Sequence, residues 1–425
     1  MSSRIFTDIG ELLTLAPALA QFSRRVREAD LGRIPRAALW IEAGQVKWLG
    51  PQAKLARAIK DFGARRVAET SLHGATVLPA FIECHTHAVH AGSRAAEFEQ
   101  RQNGVSYQEI AARGGGILST VREVRKASAA ALTEQAQVYA DQFVAQGVTT
   151  LEVKSGYGLN VKDELKMLRA AGDLSGLRIV RTFLGAHAIP PEFSEGAVSV
   201  DESARHYLEL LEREAHPRVK RQGLACRVDA FVEKNYFMPE LAEGYFSRAK
   251  AAGFDLVVHA DQLSRVGAAQ MAVRLGARSA EHLIEINADD VHALAGSEVT
   301  SVLLPAADLY MKCKYPPARA LIDAGARVAL ATDFNPGTSP TTDLALVGLL
   351  ARLEMRMSLP EVIAAYTVGA AFALGLERSL GALVRGYRAD FSVLSSDWSQ
   401  LFYRAGQMPV ARVFRDGKEL FSAQR

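Results

Sequence analysis

Cysteine is scarce: the 425-residue chain has three, Cys84, Cys226 and Cys313, far apart and in no Cys-x-x-Cys spacing. That argues against a disulfide framework and a structural thiolate zinc site, and suits a reducing cytoplasm. Net charge is also small, a formal +3 from 50 Lys and Arg against 47 Asp and Glu. This is too little for the electrostatic footprint that nucleic-acid binding requires. No run of about 18 apolar residues occurs, and Met1–Gly10 lacks an apolar core followed by a small-residue cleavage site, so neither a membrane span nor secretion is expected. Repeats and low-complexity tracts are absent as well. What remains, 49% hydrophobic and 23% charged, is the composition of a globular enzyme.

Eight short apolar or β-branched runs, bounded by Gly, Pro or polar residues, read as strands. They are Thr76–Glu83, Thr149–Lys154, Ile179–Leu184, Val228–Glu233, Leu256–Ala260, Arg278–His282, Val299–Pro305 and Val328–Thr332. Helical patterns lie between most of them, among them Lys162–Ala171, Pro239–Ala252, Val266–Leu275 and Pro317–Ala324. The near-continuous apolar strands fit a parallel sheet covered on both faces. From Thr76 to Asp333 the chain spans about 258 residues, close to the ~250 of a (β/α)8 TIM-like barrel. Ala38–Gly50 reads as strand, Ala-Gly turn, strand, and Arg388–Leu394 with Ala411–Leu420 reads likewise. The expected organisation is therefore α/β, with a barrel at residues 76–374. Both termini, 1–75 and 375–425, would assemble a small composite β-sandwich domain. Arg24, Arg25, Arg27, Arg33 and Arg36 read as a solvated surface cluster.

Polar residues gather where a βα barrel builds its site, at the C-terminal ends of the strands. His85 and His87 follow the first strand, Tyr157 the second, His187 the third, Glu233 the fourth, His259 the fifth, His282 the sixth and Asp333 the eighth. In Glu83-Cys84-His85-Thr86-His87 the period of two puts both imidazoles on one side and Cys84 on the other. With His259 and Asp333 the set offers three nitrogens and one carboxylate oxygen, an open metal site of catalytic type. Such an ion lowers the pKa of bound water toward ~7 and so supports hydrolysis. Nitrogen and oxygen ligands suit zinc, iron, manganese or nickel, with zinc and iron foremost.

The series Cys84-His85-Thr86-His87, Gly92-Ser93-Arg94, Gly114-Gly115-Gly116-Ile117, Lys154-Ser155-Gly156-Tyr157-Gly158, Gly185-Ala186-His187, His259-Ala260-Asp261-Gln262 and Ala331-Thr332-Asp333-Phe334-Asn335-Pro336-Gly337-Thr338 is jointly specific. It resembles the amidohydrolase superfamily and, within it, the imidazolonepropionase family of histidine degradation, over nearly the whole chain. The resemblance implies hydrolysis of the ring amide of 4-imidazolone-5-propanoate to N-formimidoyl-L-glutamate in the cytoplasm, by a chain that forms a homodimer. It implies one Zn2+ or Fe3+ ion held by His85, His87, His259 and Asp333. Arg94, Tyr157, His187, Gln262, Asn335, Gly337 and Thr338 would contact substrate or product, Arg94 as a bidentate partner of the propanoate. Asp333 would take the proton of the attacking water and pass it to the leaving nitrogen, with His282 as rival shuttle, and His282 or His187 would stabilise the oxyanion.

Three departures from that family's usual pattern stand out. Ala80 and Glu83 replace Gly and Asp in the first-strand motif, which bears on local backbone geometry more than on ligand identity. His90 and Ala91 stand where Phe and Gly are usual, and His90 reads as a surface residue or an extra rim histidine. Gln262 stands where many ring deaminases place Glu; it can orient a substrate but cannot move a proton. The rival reading is another cyclic amidohydrolase or an aminohydrolase of purine, pterin or pyrimidine rings, and Gln262 argues against a Glu-dependent deaminase. A metal-binding scaffold without activity is disfavoured by the complete ligand set. Gly114–Gly116 reads as a loop hinge or a helix terminator.

Overall fold

The computed structural model describes residues 3–63, 67–105, 109, 114–194 and 197–423. The chain opens with β1 (Ser3–Leu13), β2 (Arg33–Glu42), β3 (Gln45–Pro51), β4 (Ala68–Ser71) and β5 (Thr76–Pro79). It then runs through β6 (Phe81–Glu83), β7 (Val148–Lys154), β8 (Arg178–Ala186), β9 (Arg227–Val232), β10 (Asp255–Ala260), β11 (Ser279–His282), β12 (Thr300–Leu303) and β13 (Arg327–Leu330). It returns in β14 (Phe391–Leu394), β15 (Val410–Arg415) and β16 (Lys418–Ser422).

Strands β6 to β13 pair in chain order, all parallel, as the apolar strands and intervening helices require. The last joint, between β13 and β6, is made just past the strand ends: His87 N–H donates to the Phe334 carbonyl at 2.8 Å, and Thr86 bridges Phe334. The barrel thus closes at the segment that carries the candidate ligands. The termini share one sheet in the order β16-β15-β14-β5-β1-β2-β3, with β4 beside β1, antiparallel except where β1 meets β4 and β5. Phe391 and Phe414 stack within it, and Phe6 meets both rings edge-on.

The expected first barrel strand divides. Thr76–Pro79 pairs with β1 and β14 in the terminal sheet, and only Phe81–Glu83 enters the barrel. Ala80 at the junction donates its N–H to the Asp390 carbonyl at 3.1 Å, and its φ is negative, so the Cβ that replaces the usual glycine is accommodated. One covalent strand therefore belongs to two sheets, a split that apolar patterning does not reveal.

The basic cluster is corrected in part. Arg24 donates to the Ala295 and Gly325 carbonyls at 2.8 Å each, and Arg25 donates to Asp323 and Ala324, capping the last turns of helices Ala288–Ala295 and Ala318–Ala324. Guanidinium groups satisfy helix C-terminal carbonyls, so these two fasten the N-terminal segment to the barrel instead of lying free in solvent.

Candidate metal centre and substrate cavity

His85, His87, His259 and Asp333 are all at most 3% exposed, and they converge. One ring nitrogen each from His85, His87 and His259 lies within 4.8 Å of the others. Asp333 Oδ1 is 3.2 Å from His85 Nε2 and 3.5 Å from His87 Nε2. Asp333 and His282 both adopt left-handed backbone, φ 52° and 72°, strain of the kind that concentrates at functional sites. Cys84, the residue before His85, faces the other way, its Sγ 3.8 Å from the Leu330 carbonyl.

The floor beneath the imidazoles is ionic, and the sequence reading missed it. Lys154 is fully buried and its Nζ lies 3.0 Å from Glu152, 3.0 Å from Asp229 and 2.9 Å from Glu281. Glu281 Oε2 in turn sits 2.7 Å from His85 Nδ1, and Asp229 Oδ2 sits 2.9 Å from His259 Nδ1. Glu83 accepts the His85 and Thr332 N–H groups, coupling the first and last strand ends. The signal was available: charged residues inside strands buried on both faces stay there only as members of a paired network.

Burial holds the His85, His87 and His282 imidazoles well below their ordinary range, in the neutral form that a metal-ligating nitrogen needs. For His259 burial acts in the same sense, but the Asp229 carboxylate outweighs it and raises the group. Burial pushes the Asp333 and Glu281 carboxyls each up to about 7, and the Glu83 carboxyl to about 8. For Lys154 burial favours the neutral amine, but the three carboxylates overcome it and hold the ammonium charged. Both ring nitrogens of His85 and of His259 are buried without a hydrogen-bond partner among the described residues, Nδ1 in each facing a carboxylate. The two Nε2 atoms, a third imidazole and a carboxylate raised by desolvation fit a single cation.

Above this centre opens a cavity of about 580 Å³. His87, Arg94, Tyr157, His187, His259, Gln262, His282, Asp333, Asn335 and Thr338 all line it. His85 lies beneath, and Gly337 stands behind Arg94: a Cβ on Gly337 would overlap Nη1 and lie 2.7 Å from Cζ of that arginine. Arg94 Nε also pairs with Glu97 at 2.8 Å, whose other oxygen accepts the Gly116 N–H and the Ser119 hydroxyl. Gly116 therefore starts a helix, Ile117–Lys126, instead of ending one. The Asn335 amide is engaged in its own turn, donating to the Asp333 carbonyl and accepting the Gly337 and Thr338 N–H groups. Arg101 and Lys312 line the same cavity and were not singled out from sequence.

Two buried carboxylates shape the rim. Glu164 accepts the N–H groups of Gly156, Gly158 and Leu159 at 2.7 to 2.8 Å, and the Gly156 carbonyl lies 3.0 Å from His187 Nδ1. Glu233, read as a rim group, is spent on the Leu263 and Ser264 N–H groups and the Ser264 hydroxyl beside Gln262. His90 is neither exposed nor on the cavity: it is 3% exposed and stacks on Tyr139, with Phe334 nearby.

Comparison with known proteins adds three findings. The model of the amidohydrolase family matches residues 76–420. An imidazolonepropionase of Bdellovibrio bacteriovorus is 55% identical, covering 98% of this chain and 96% of its own, and one of Geobacillus kaustophilus is 40% identical, covering 96% and 95%. Among solved structures, a zinc-bound adenosine deaminase of Xanthomonas campestris superposes with a TM-score of 0.67 at 17% identity, over 98% of this chain and 92% of that one. The atrazine chlorohydrolase of Arthrobacter aurescens, complexed with zinc, gives 0.64 at 19%, over 99% and 95%. At those identities the two structures speak for the fold alone.

Proposed function

The chain belongs to the amidohydrolase family and, within it, to the imidazolonepropionases, hydrolases that open the ring amide of 4-imidazolone-5-propanoate; from that premise we propose how its residues divide the work. His85, His87, His259 and Asp333 hold one divalent or trivalent ion, zinc or iron. When bound, that ion supplies Lewis acidity and a water acidic enough to be used at neutral pH. The set of nitrogens and one carboxylate oxygen, with Cys84 turned away, supports this choice of metal.

Arg94 holds the substrate's propanoate, its guanidinium kept in place by Glu97 and by the bare Cα of Gly337. Tyr157 and His187 flank the ring, and Gln262 orients it from the opposite rim. Asn335 and Thr338 form the turn that carries Gly337 against Arg94. Asp333 accepts a proton from the attacking water at its carboxylate. The water oxygen adds to the ring carbonyl carbon, the carbon–nitrogen bond breaks, and the proton passes to the departing nitrogen, giving N-formimidoyl-L-glutamate. Asp333 lines the cavity beside the His85 and His87 imidazoles, so its carboxylate is placed both to take that proton and to return it. His282, its ring 5.2 Å from that of His259, stabilises the oxyanion or relays the proton.

We assign catalysis to the barrel within residues 76–374, with Thr76–Pro79 passing to the small β domain formed by 1–75 and 375–425. The same reading extends to a homodimer in the cytoplasm, where Cys84, Cys226 and Cys313 stay as the free thiols they are here. The observation that carries the function is the convergence of four ligand side chains under a cavity that also holds Arg94. Ultraviolet decay of freshly generated 4-imidazolone-5-propanoate, before and after chelation, tests it. Metal-dependent decay with N-formimidoyl-L-glutamate identified by mass is expected. No decay with folded, metal-replete protein would sink the substrate assignment.

A further inference from the structure

Each of the three carboxylates around Lys154 has a second task at the metal centre. Glu281 Oε2 faces His85 Nδ1 at 2.7 Å, and Asp229 faces His259 Nδ1 at 2.9 Å while also accepting the His259 N–H. Glu152 accepts the N–H of Thr86, the residue between His85 and His87, and the Thr86 hydroxyl donates to the Glu152 carbonyl at 2.6 Å. Three carboxylates crowded around one buried point repel one another unless a cation sits among them. Lys154 Nζ donates to Glu152 and Asp229 at 3.0 Å each and pairs with Glu281 Oε2 at 2.9 Å by charge, so one ammonium stands among all three. We infer that Lys154 is a positioning residue of the metal centre: it fixes Glu152, Asp229 and Glu281 so that His85 and His259 present Nε2 to the ion. The inference rests on the reading of His85, His87, His259 and Asp333 as metal ligands.

Positioning and plain charge make opposite predictions. A positive charge beneath the imidazoles repels a metal cation, so if Lys154 acted by charge alone its removal would tighten metal binding. If it positions the carboxylates, removal leaves them unpaired in a dry floor, where they take up protons or move and release the Nδ1 sides of both imidazoles. Competition with a chromophoric chelator for Zn2+, on wild type, Lys154→Met and Lys154→Gln, separates the two without any substrate. Zinc affinity is expected to fall by about 10- to 100-fold in Lys154→Met, with Lys154→Gln, which keeps two donors, in between. Equal or tighter zinc binding by Lys154→Met would overturn the inference. Wild type that binds no zinc would overturn the metal centre itself. Should neither variant fold, nitrogen-15 resonances of metal-free wild type decide, at a pH where both imidazoles are neutral. Protonation of His85 and His259 at Nδ1 supports the positioning role, and protonation of either at Nε2 overturns it.

Discussion

At the scale of single residues, Arg94 and Gly337 form one functional unit. A carboxylate held by a guanidinium in both ground and transition states contributes to binding more than to turnover, by ~1.5–3 kcal/mol for a charge-assisted hydrogen bond. Arg94→Ala is therefore expected to raise KM by roughly 10- to 100-fold with little change in kcat. Gly337→Ala should reproduce that phenotype with Arg94 still present, because the added methyl occupies the guanidinium's place. Steady-state kinetics of both variants checks this, and an unchanged KM in Gly337→Ala would separate the two residues. His85, His87, His259 and Asp333 were legible in the sequence as candidate ligands because barrel chemistry sits at strand ends and each follows an apolar run. Lys154, Asp229 and Glu281 signalled a paired network by lying inside apolar strands, but which charge meets which shows only once the strands are side by side.

At the scale of the element, the loop after β7 is shaped by a residue of the following helix. Glu164 lies in Val161–Gly172, a helix capped by Asn160, and its carboxylate gathers three loop N–H groups with two oxygens. Tyr157 is carried on that loop, and the Gly156 carbonyl of the same loop meets His187. A glutamine offers one oxygen acceptor and turns an N–H toward backbone donors, so Glu164→Gln breaks the pattern without changing size. We expect KM to rise roughly 10-fold while zinc per chain stays at the wild-type value. Kinetics together with metal analysis reads both, and loss of zinc with KM unmoved would contradict the assignment. Motif spacing located Gly156-Tyr157-Gly158, but periodicity could not show that the helix behind it supplies the anchor.

At the scale of the whole molecule, buried histidines that do not line the cavity couple stability to pH. His216 packs against Phe183, Tyr245 and Phe254, with Nε2 3.0 Å from the Tyr245 hydroxyl. Burial, helped by Arg248, holds it down to about 4, and burial does the same for His90. In the unfolded chain both titrate near 6.5, so between pH 6.5 and 4 the unfolded state binds more protons and stability falls as pH falls. Each group costs about 3 kcal/mol by pH 4. His216→Gln keeps a partner for Tyr245 but cannot titrate, so its stability should decline less steeply over that window. Denaturant unfolding at several pH values measures the slope, and an identical slope would refute the assignment.

By itself the sequence determined the eight-strand βα periodicity, the two terminal hairpins and the strand-end positions of His85, His87, His259 and Asp333, because hydrophobic period and strand-end position are local properties of the chain. Only the tertiary structure decided that Thr76–Glu83 is shared between two sheets and that Arg24 and Arg25 cap barrel helices. It also decided that His90 is buried and that three carboxylates surround Lys154. These depend on which distant segments meet, and a buried charge takes its role from partners that folding brings within 3 Å of it.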